Sequence, residues 1–321
     1  MRKLVLLALK IAVTAGLLYI SLRGVAFASI FDRLDQFKPL WLLAGILVTV
    51  VQFVLAALRW RIVSAYCGVP LSLTTAMRYI FIGVFFSQTL PSSIGGDAVR
   101  LWLLGRSGVG WREATYSVLV DRAIGMLGIA AVIGLCLPWS YQLISDAHGR
   151  LALLAVDLAA IAGGIGFLVF GALRWPWLQR WWPTRHVHAC AEITNRVLSR
   201  LRTGLPIVVL SLAIPVLATV IGWCVVRSIS APVTFAQTFL LIPPIILLTM
   251  LPISIAGWGV REATMMVAFG YAGLAPADGL IISLLYGITQ FAVGALGGLV
   301  WILGREKMPV VANGETEREA S

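Results

Sequence analysis

Leu90-Pro91-Ser92-Ser93-Ile94-Gly95-Gly96-Asp97-Ala98-Val99-Arg100 returns without a gap as Leu251-Pro252-Ile253-Ser254-Ile255-Ala256-Gly257-Trp258-Gly259-Val260-Arg261. Seven of the eleven positions are identical, and they include proline, serine, glycine and arginine, which chance similarity between two greasy segments does not readily supply. The likeness extends upstream. Trp60 lies 31 residues before the first proline and Trp223 lies 29 before the second, while Pro70 and Pro232 precede them by 21 and 20. The chain therefore carries an internal repeat, which we place at about 40–138 and 205–303.

The repeat sits in a bilayer. Of 321 residues 60% are hydrophobic and 12% charged, with a mean hydropathy of +0.93, far from the roughly 25% charged residues of a soluble domain. Apolar runs near the ~20 residues needed to cross a membrane fall at about 4–22, 40–58, 113–138, 151–173, 205–227 and 279–303. Two shorter ones, near 73–90 and 234–251, run up to the repeat prolines. The first run is too long for a secretory signal and no small-residue cleavage site follows it. The 25 Lys+Arg against 14 Asp+Glu report topology here, not nucleic acid. With a cytoplasmic N-terminus, Arg59, Arg61, Arg78, Arg100, Arg106 and Arg112, the connection from Arg174 to Arg202, and Arg305 and Lys307 all fall inside, as the positive-inside rule expects. Both termini are expected in the cytoplasm of a bacterial inner-membrane protein.

Three crossings separate the two copies, so the second is expected to be inverted. Short, Gly/Pro-interrupted hydrophobic segments at matching places in inverted repeats point to a transport site near the midplane. Each copy is predicted to enter as a helix, break at Pro91 or Pro252, and return to the same face as a second short helix capped by Ser93 or Ser254. Non-helical backbone at that depth requires burial in protein or a watered cavity. The expected fold is an all-α polytopic membrane protein with about six full transmembrane helices plus two re-entrant helical hairpins in an inverted-topology repeat. Prolines that merely kink ordinary spans, with arginines snorkelling to the interface, are the structural alternative.

The break carries chemistry. A helix N-terminus attracts anions, Gly96 and Gly257 allow close approach, and Arg100 and Arg261 supply planar forks suited to phosphate. Ser92, Ser93, Ser254, Asp97, Arg122 and Glu262 complete two half-sites for a phosphate-bearing headgroup. Ionisable groups inside apolar runs are functional candidates by default. Asp97, Asp121 and Glu262 are candidates for proton coupling, whereas water near the membrane boundary is the simplest account of Asp157. Cys67, Cys136, Cys190 and Cys224 have no paired spacing, so no metal is expected, and no P-loop pattern implies ATP. No cofactor is expected. His186 and His188 read as a solvated pair. Trp175, Trp177, Trp181 and Trp182 suit a headgroup-level belt. Residues 187–202 place Ala191, Thr194, Val197, Leu198 and Leu201 opposite Glu192, Arg196 and Arg200. The basic stretch 174–204 is thus an interfacial cytoplasmic segment, and 306–321 a disordered cytoplasmic tail.

These residues also carry a likeness. Leu58-Arg59-Trp60, Leu90-Pro91 through Gly96-Asp97, Val99-Arg100, Asp121-Arg122 and above all Pro252 through Gly257-Trp258-Gly259-Val260-Arg261-Glu262-Ala263 resemble the flippase-like family of the lysylphosphatidylglycerol synthase transmembrane region, the membrane part of the multiple peptide resistance factor. The likeness spans about residues 5–305 and adds Arg59 to the candidate substrate-binding set. It implies that residues 1–305 form a flippase-like domain translocating a phospholipid, glycolipid or polyprenyl phosphate. In that family a separate soluble domain transfers lysine from aminoacyl-tRNA. This chain ends about fifteen polar residues after its last span, so a stand-alone member without that domain, and not an enzyme, is expected. An accessory subunit serving lipid-biosynthesis enzymes and an intramembrane lipid-modifying transferase are the alternatives. The transferase would need an activated nucleophile, and no histidine lies in the spans to activate the serines.

The inversion has a direct test. Single cysteines at Ser107 and Ala272, with native cysteines removed, should react with an impermeant thiol reagent from the inside and the outside respectively. Labelling of both from one side contradicts the inverted repeat.

Overall fold

The computed structural model describes residues 16, 19, 37–90, 95–173, 181–250 and 257–304. Among them ten helices follow one another: α1 Pro39–Tyr66, α2 Leu73–Thr89, α3 Gly95–Arg106, α4 Trp111–Leu143, α5 Ala147–Ala172, α6 Trp182–Ser199, α7 Leu201–Ser228, α8 Phe235–Thr249, α9 Val260–Tyr271 and α10 Pro276–Leu303. No strand occurs among the described residues. Five helices, α1, α4, α5, α7 and α10, have 26 to 33 residues and are apolar enough to cross a bilayer. At 1.5 Å per residue each exceeds the ~30 Å hydrocarbon core. The chain is an all-helical, multi-pass membrane protein. The expected span at 4–22, the tail at 306–321, Trp175 and Trp177 lie outside the described residues.

Local sequence sets the helix ends. Ser72 accepts the N–H of Thr75 (3.1 Å) at the start of α2. At the matching start of α8, Thr234 and Gln237 close a reciprocal capping box at 3.2 and 2.8 Å. Each cap stands two residues after a repeat proline, Pro70 or Pro232. Both short helices stop where the repeat begins, α2 at Thr89 and α8 at Thr249.

Helix pairing repeats as the sequence does. α1 packs along α7 at the centre. Around that pair, α2 lies on α10 as α8 lies on α4, α3 on α4 as α9 on α10, α2 on α3 as α8 on α9, and α1 on α2 as α7 on α8. Lipid supplies no hydrophobic drive between helices, so small residues and polar contacts hold them. Gly45 brings α1 within reach of Cys224 and the Ile221 carbonyl, and Gln52 donates to the Ile214 carbonyl (3.0 Å). A β-carbon at Gly297 would collide with the carbonyl of Phe81, so this glycine sets the α2–α10 approach.

α5 and α6 stand outside this duplicated set. The buried face of α6 consists of Cys190, Ala191, Thr194 and Val197, close to the predicted apolar face. Leu201 instead belongs to α7 and is exposed, because the helix ends at Ser199. Trp181 and Trp182 are exposed. The histidines are not a solvated pair. His186 shares a hydrogen bond with the Tyr116 hydroxyl (2.7 Å) and His188 donates to the Leu173 carbonyl (2.7 Å), since both lie on the side of α6 that meets the bundle.

Candidate functional site

Three helices of the first repeat bring five charges together. Arg59 of α1 donates to Asp121 of α4 at 2.9 Å and to its backbone carbonyl at 3.3 Å. Arg100 of α3 bridges Asp97 (3.2 Å) and Asp121 (3.3 Å), and Arg122 reaches Asp97 at 2.5 Å. Under Arg100 lies the indole of Trp60, 3.9 Å from the guanidinium carbon. That stacking contributes about 2 kcal/mol in a desolvated setting. Arg59, Asp97, Arg100 and Asp121 are buried, while the Arg122 side chain is 34% exposed. Three guanidinium groups against two carboxylates leave one positive charge in surplus. Arg100 also retains a buried Nε, and Trp60 a buried Nε1, without a hydrogen-bond partner.

The second copy is built on the same plan with different residues. Arg261 of α9 donates to Glu262 (3.0 Å) and to Ser283 of α10 (3.0 Å), and Ser283 donates in turn to Glu262 (2.8 Å). Trp258 and Tyr286 lie 5.0 and 5.8 Å from the Arg261 guanidinium. Ser283 follows Arg261 by 22 residues as Asp121 follows Arg100 by 21. The second cluster is neutral where the first is cationic. The N-terminus of α9 is also closed from within. Gly259, at φ +82°, donates its N–H to Glu262 at 2.6 Å, and Gly257 takes φ +81°, a conformation open chiefly to glycine.

A cavity of about 340 Å³ joins the two clusters. Arg59, Asp97, Arg100, Asp121 and Arg122 reach it from the first copy, and Arg261, Tyr286 and Gln290 from the second. Its wall takes residues from all eight helices of the duplicated set and none from α5 or α6.

Of the sequence-predicted site residues, the structure thus gathers Arg59, Gly96, Asp97, Arg100, Asp121, Arg122 and Arg261 around one space. Glu262 is fully buried behind Arg261 and is not part of the cavity lining. Ser92, Ser93 and Ser254 lie outside the described residues. Gly96 serves packing, because a β-carbon there would collide with Ser87 and the Gly83 carbonyl of α2. Arg59 and Arg100, counted above as cytoplasmic cations, are buried in the ion network, since each meets a carboxylate. Asp157 is not open to water. It is 0% exposed because it faces the bundle from α5. Trp60, Ser283 and Tyr286 were missed as site residues; the shared spacing after the repeat arginines was the signal for Ser283.

The network has a stability consequence. Asp121→Asn strands Arg59 and Arg100 without their shared charge, so unfolding in mixed micelles should show a loss of about 3–5 kcal/mol. Glu192→Gln breaks the exposed pair with Arg196 (3.0 Å) and should change stability by no more than about 0.5 kcal/mol. Equal effects of the two would contradict a buried network.

Comparison with known proteins bears on the whole bundle. A relative described as a UPF0104 membrane protein, from Archaeoglobus fulgidus, is 31% identical over 85 residues, 26% of this chain and 26% of its own length. The chain thus covers about a quarter of that relative. The model of the family described as the lysylphosphatidylglycerol synthase TM region matches residues 7–298, a stretch that takes in α1 through most of α10 with both charge clusters and the cavity. The chain belongs to that family.

Proposed function

We propose that the protein is a lipid flippase or scramblase that moves a phosphorylated lipid, whether phospholipid, glycolipid or polyprenyl phosphate, between leaflets. One observation carries the reading. A single cavity is lined by arginines of both repeats and has a surplus positive charge on one side. A charged headgroup crossing bare hydrocarbon is desolvated at several kcal/mol or more per unpaired group. A polar cavity lowers that cost while the acyl or prenyl tails stay in lipid.

The two half-sites take different parts in this scheme. The first has the unbalanced cation and the partly exposed Arg122, so it holds the phosphate. Arg261 is engaged by Glu262 and Ser283 and orients the headgroup from the opposite side. The matched helix pairings support an inverted pair of re-entrant hairpins, α2–α3 and α8–α9, entering from opposite faces of a bacterial inner membrane with both chain termini in the cytoplasm. The lipid is bound and released without chemical change, which makes the protein a transporter and not an enzyme.

The test is a liposome assay with headgroup-labelled phospholipid or polyprenyl phosphate in both leaflets. Purified protein should let an impermeant quencher bleach well beyond the outer-leaflet half. Arg100→Lys keeps the charge and loses the planar fork, so transfer should slow about tenfold, the equivalent of one charge-assisted hydrogen bond, with folding preserved. Wild-type protein that moves none of a broad lipid panel would point instead to an accessory role beside a lipid-biosynthesis enzyme.

A further inference from the structure

Asp97, Asp121 and Glu262 each form an ion pair with arginine at 3.3 Å or less. Asp157 differs from them. It is 0% exposed, and neither carboxyl oxygen has a hydrogen-bond partner. It also occupies a telling place, because the buried residues of α5 are Gly149, Asp157 and Gly171. The fully buried positions of α5 are thus two glycines near its ends and a carboxyl between them.

The surroundings suit an acid better than its anion. Ile161 packs against Gly134 of α4, and Gly164 against Leu127 and Ala130. One turn back along this antiparallel pair, Asp157 comes beside Cys136, its electrostatic neighbour, near Pro138 in the interior of α4. Proline has no N–H, so the Gly134 carbonyl one turn earlier loses its helical donor. A carboxylate offers only acceptors to such a place, whereas a carboxylic acid offers one donor. An ionised carboxylate buried without a partner is also among the costliest groups in a bilayer.

Among the described residues no charged side chain is paired with it. From α4 the titratable neighbour is Cys136, and α8 carries no titratable residue between Phe235 and Thr249. α6 meets α5 further along, where Asn195 donates to the Leu168 carbonyl and His188 to that of Leu173. α9 packs Tyr271 against Gly149, two turns away. On α5 itself, Arg150 donates to the Ile144 carbonyl and stacks on Tyr141.

We infer that Asp157 is a proton-binding site within the membrane, a neutral carboxylic acid that holds α5 against α4 and releases its proton when water reaches that seam. Its bearing on transport rests on the flippase reading. With α8 and α9, α5 walls an apolar cavity of about 300 Å³, where Leu153 and Val156 face Ile245 and Val267. Loss of the proton loosens that wall beside the second hairpin and so couples a proton to lipid movement.

Infrared spectroscopy of the protein in nanodiscs at neutral pH should show the C=O stretch of a protonated carboxylic acid. The band should shift on ¹³C-aspartate labelling and vanish in Asp157→Asn. If labelling shifts no such band, Asp157 is ionised and the proposal fails; this arm uses the unaltered chain and does not depend on the variant folding. A band that persists in folded Asp157→Asn overturns it equally. In liposomes under an imposed pH gradient, Asp157→Asn should lose the effect of the gradient on lipid distribution and keep passive equilibration. An unchanged gradient response removes Asp157 from coupling. Wild-type protein that moves no lipid counts against the flippase reading, while the infrared band still decides the proton site.

Discussion

The shared coordination of Asp121 by Arg59 and Arg100 is the contact on which the first half of the bundle depends. It joins α1, α3 and α4 at one carboxylate, and Asp97 extends it to Arg122. Charges in a low-dielectric interior attract strongly but are costly to desolvate, so a buried network persists only when nearly every member is satisfied. Here the satisfaction stops one step short. The Arg100 Nε has no partner and one guanidinium charge remains over, while Arg122, 34% exposed, brings the cluster to the wall of a cavity.

Duplication explains why that surplus lies on one side. The aromatic beside the arginine comes from a different position in each copy, Trp60 in the first and Trp258 and Tyr286 in the second, but both copies keep the arginine and a partner about 21 residues further on. They differ in whether that partner is a carboxylate, Asp121, or a hydroxyl, Ser283. Because Ser283 brings no charge, Arg261 is neutralised by its own neighbour Glu262, which also closes the start of α9. The two expected half-sites thus differ in charge, one a cationic cluster and the other neutral. Each short helix already carries a carboxylate in its first turn, Asp97 or Glu262, which competes with any external anion for the helix dipole.

Much of this was legible in sequence for simple physical reasons. Backbone in lipid must satisfy its own hydrogen bonds, so long apolar runs could only be helices, and five of the six expected spans coincide with α1, α4, α5, α7 and α10. The repeat also marked where the two short helices stop, α2 at Thr89 and α8 at Thr249. The Asp97–Arg100 pair followed from helical spacing. What sequence could not supply was the partner across helices. Nothing local tells Asp121 to choose Arg59 and Arg100, or places Trp60 under a guanidinium. Asp157 was misjudged for the same reason: its position near a span boundary suggested water, whereas the facing of α5 toward α4 decides its burial.

The central claim is that the shared cavity receives a phosphate-bearing headgroup through the arginines of the first repeat. Native mass spectrometry of protein extracted gently from its own membrane tests it most directly. The account predicts a co-purifying lipid with a phosphate group, retained by the wild type and lost when Arg59 and Arg100 are both replaced by glutamine in a protein that remains folded. Retention of the same lipid by that double variant would contradict it.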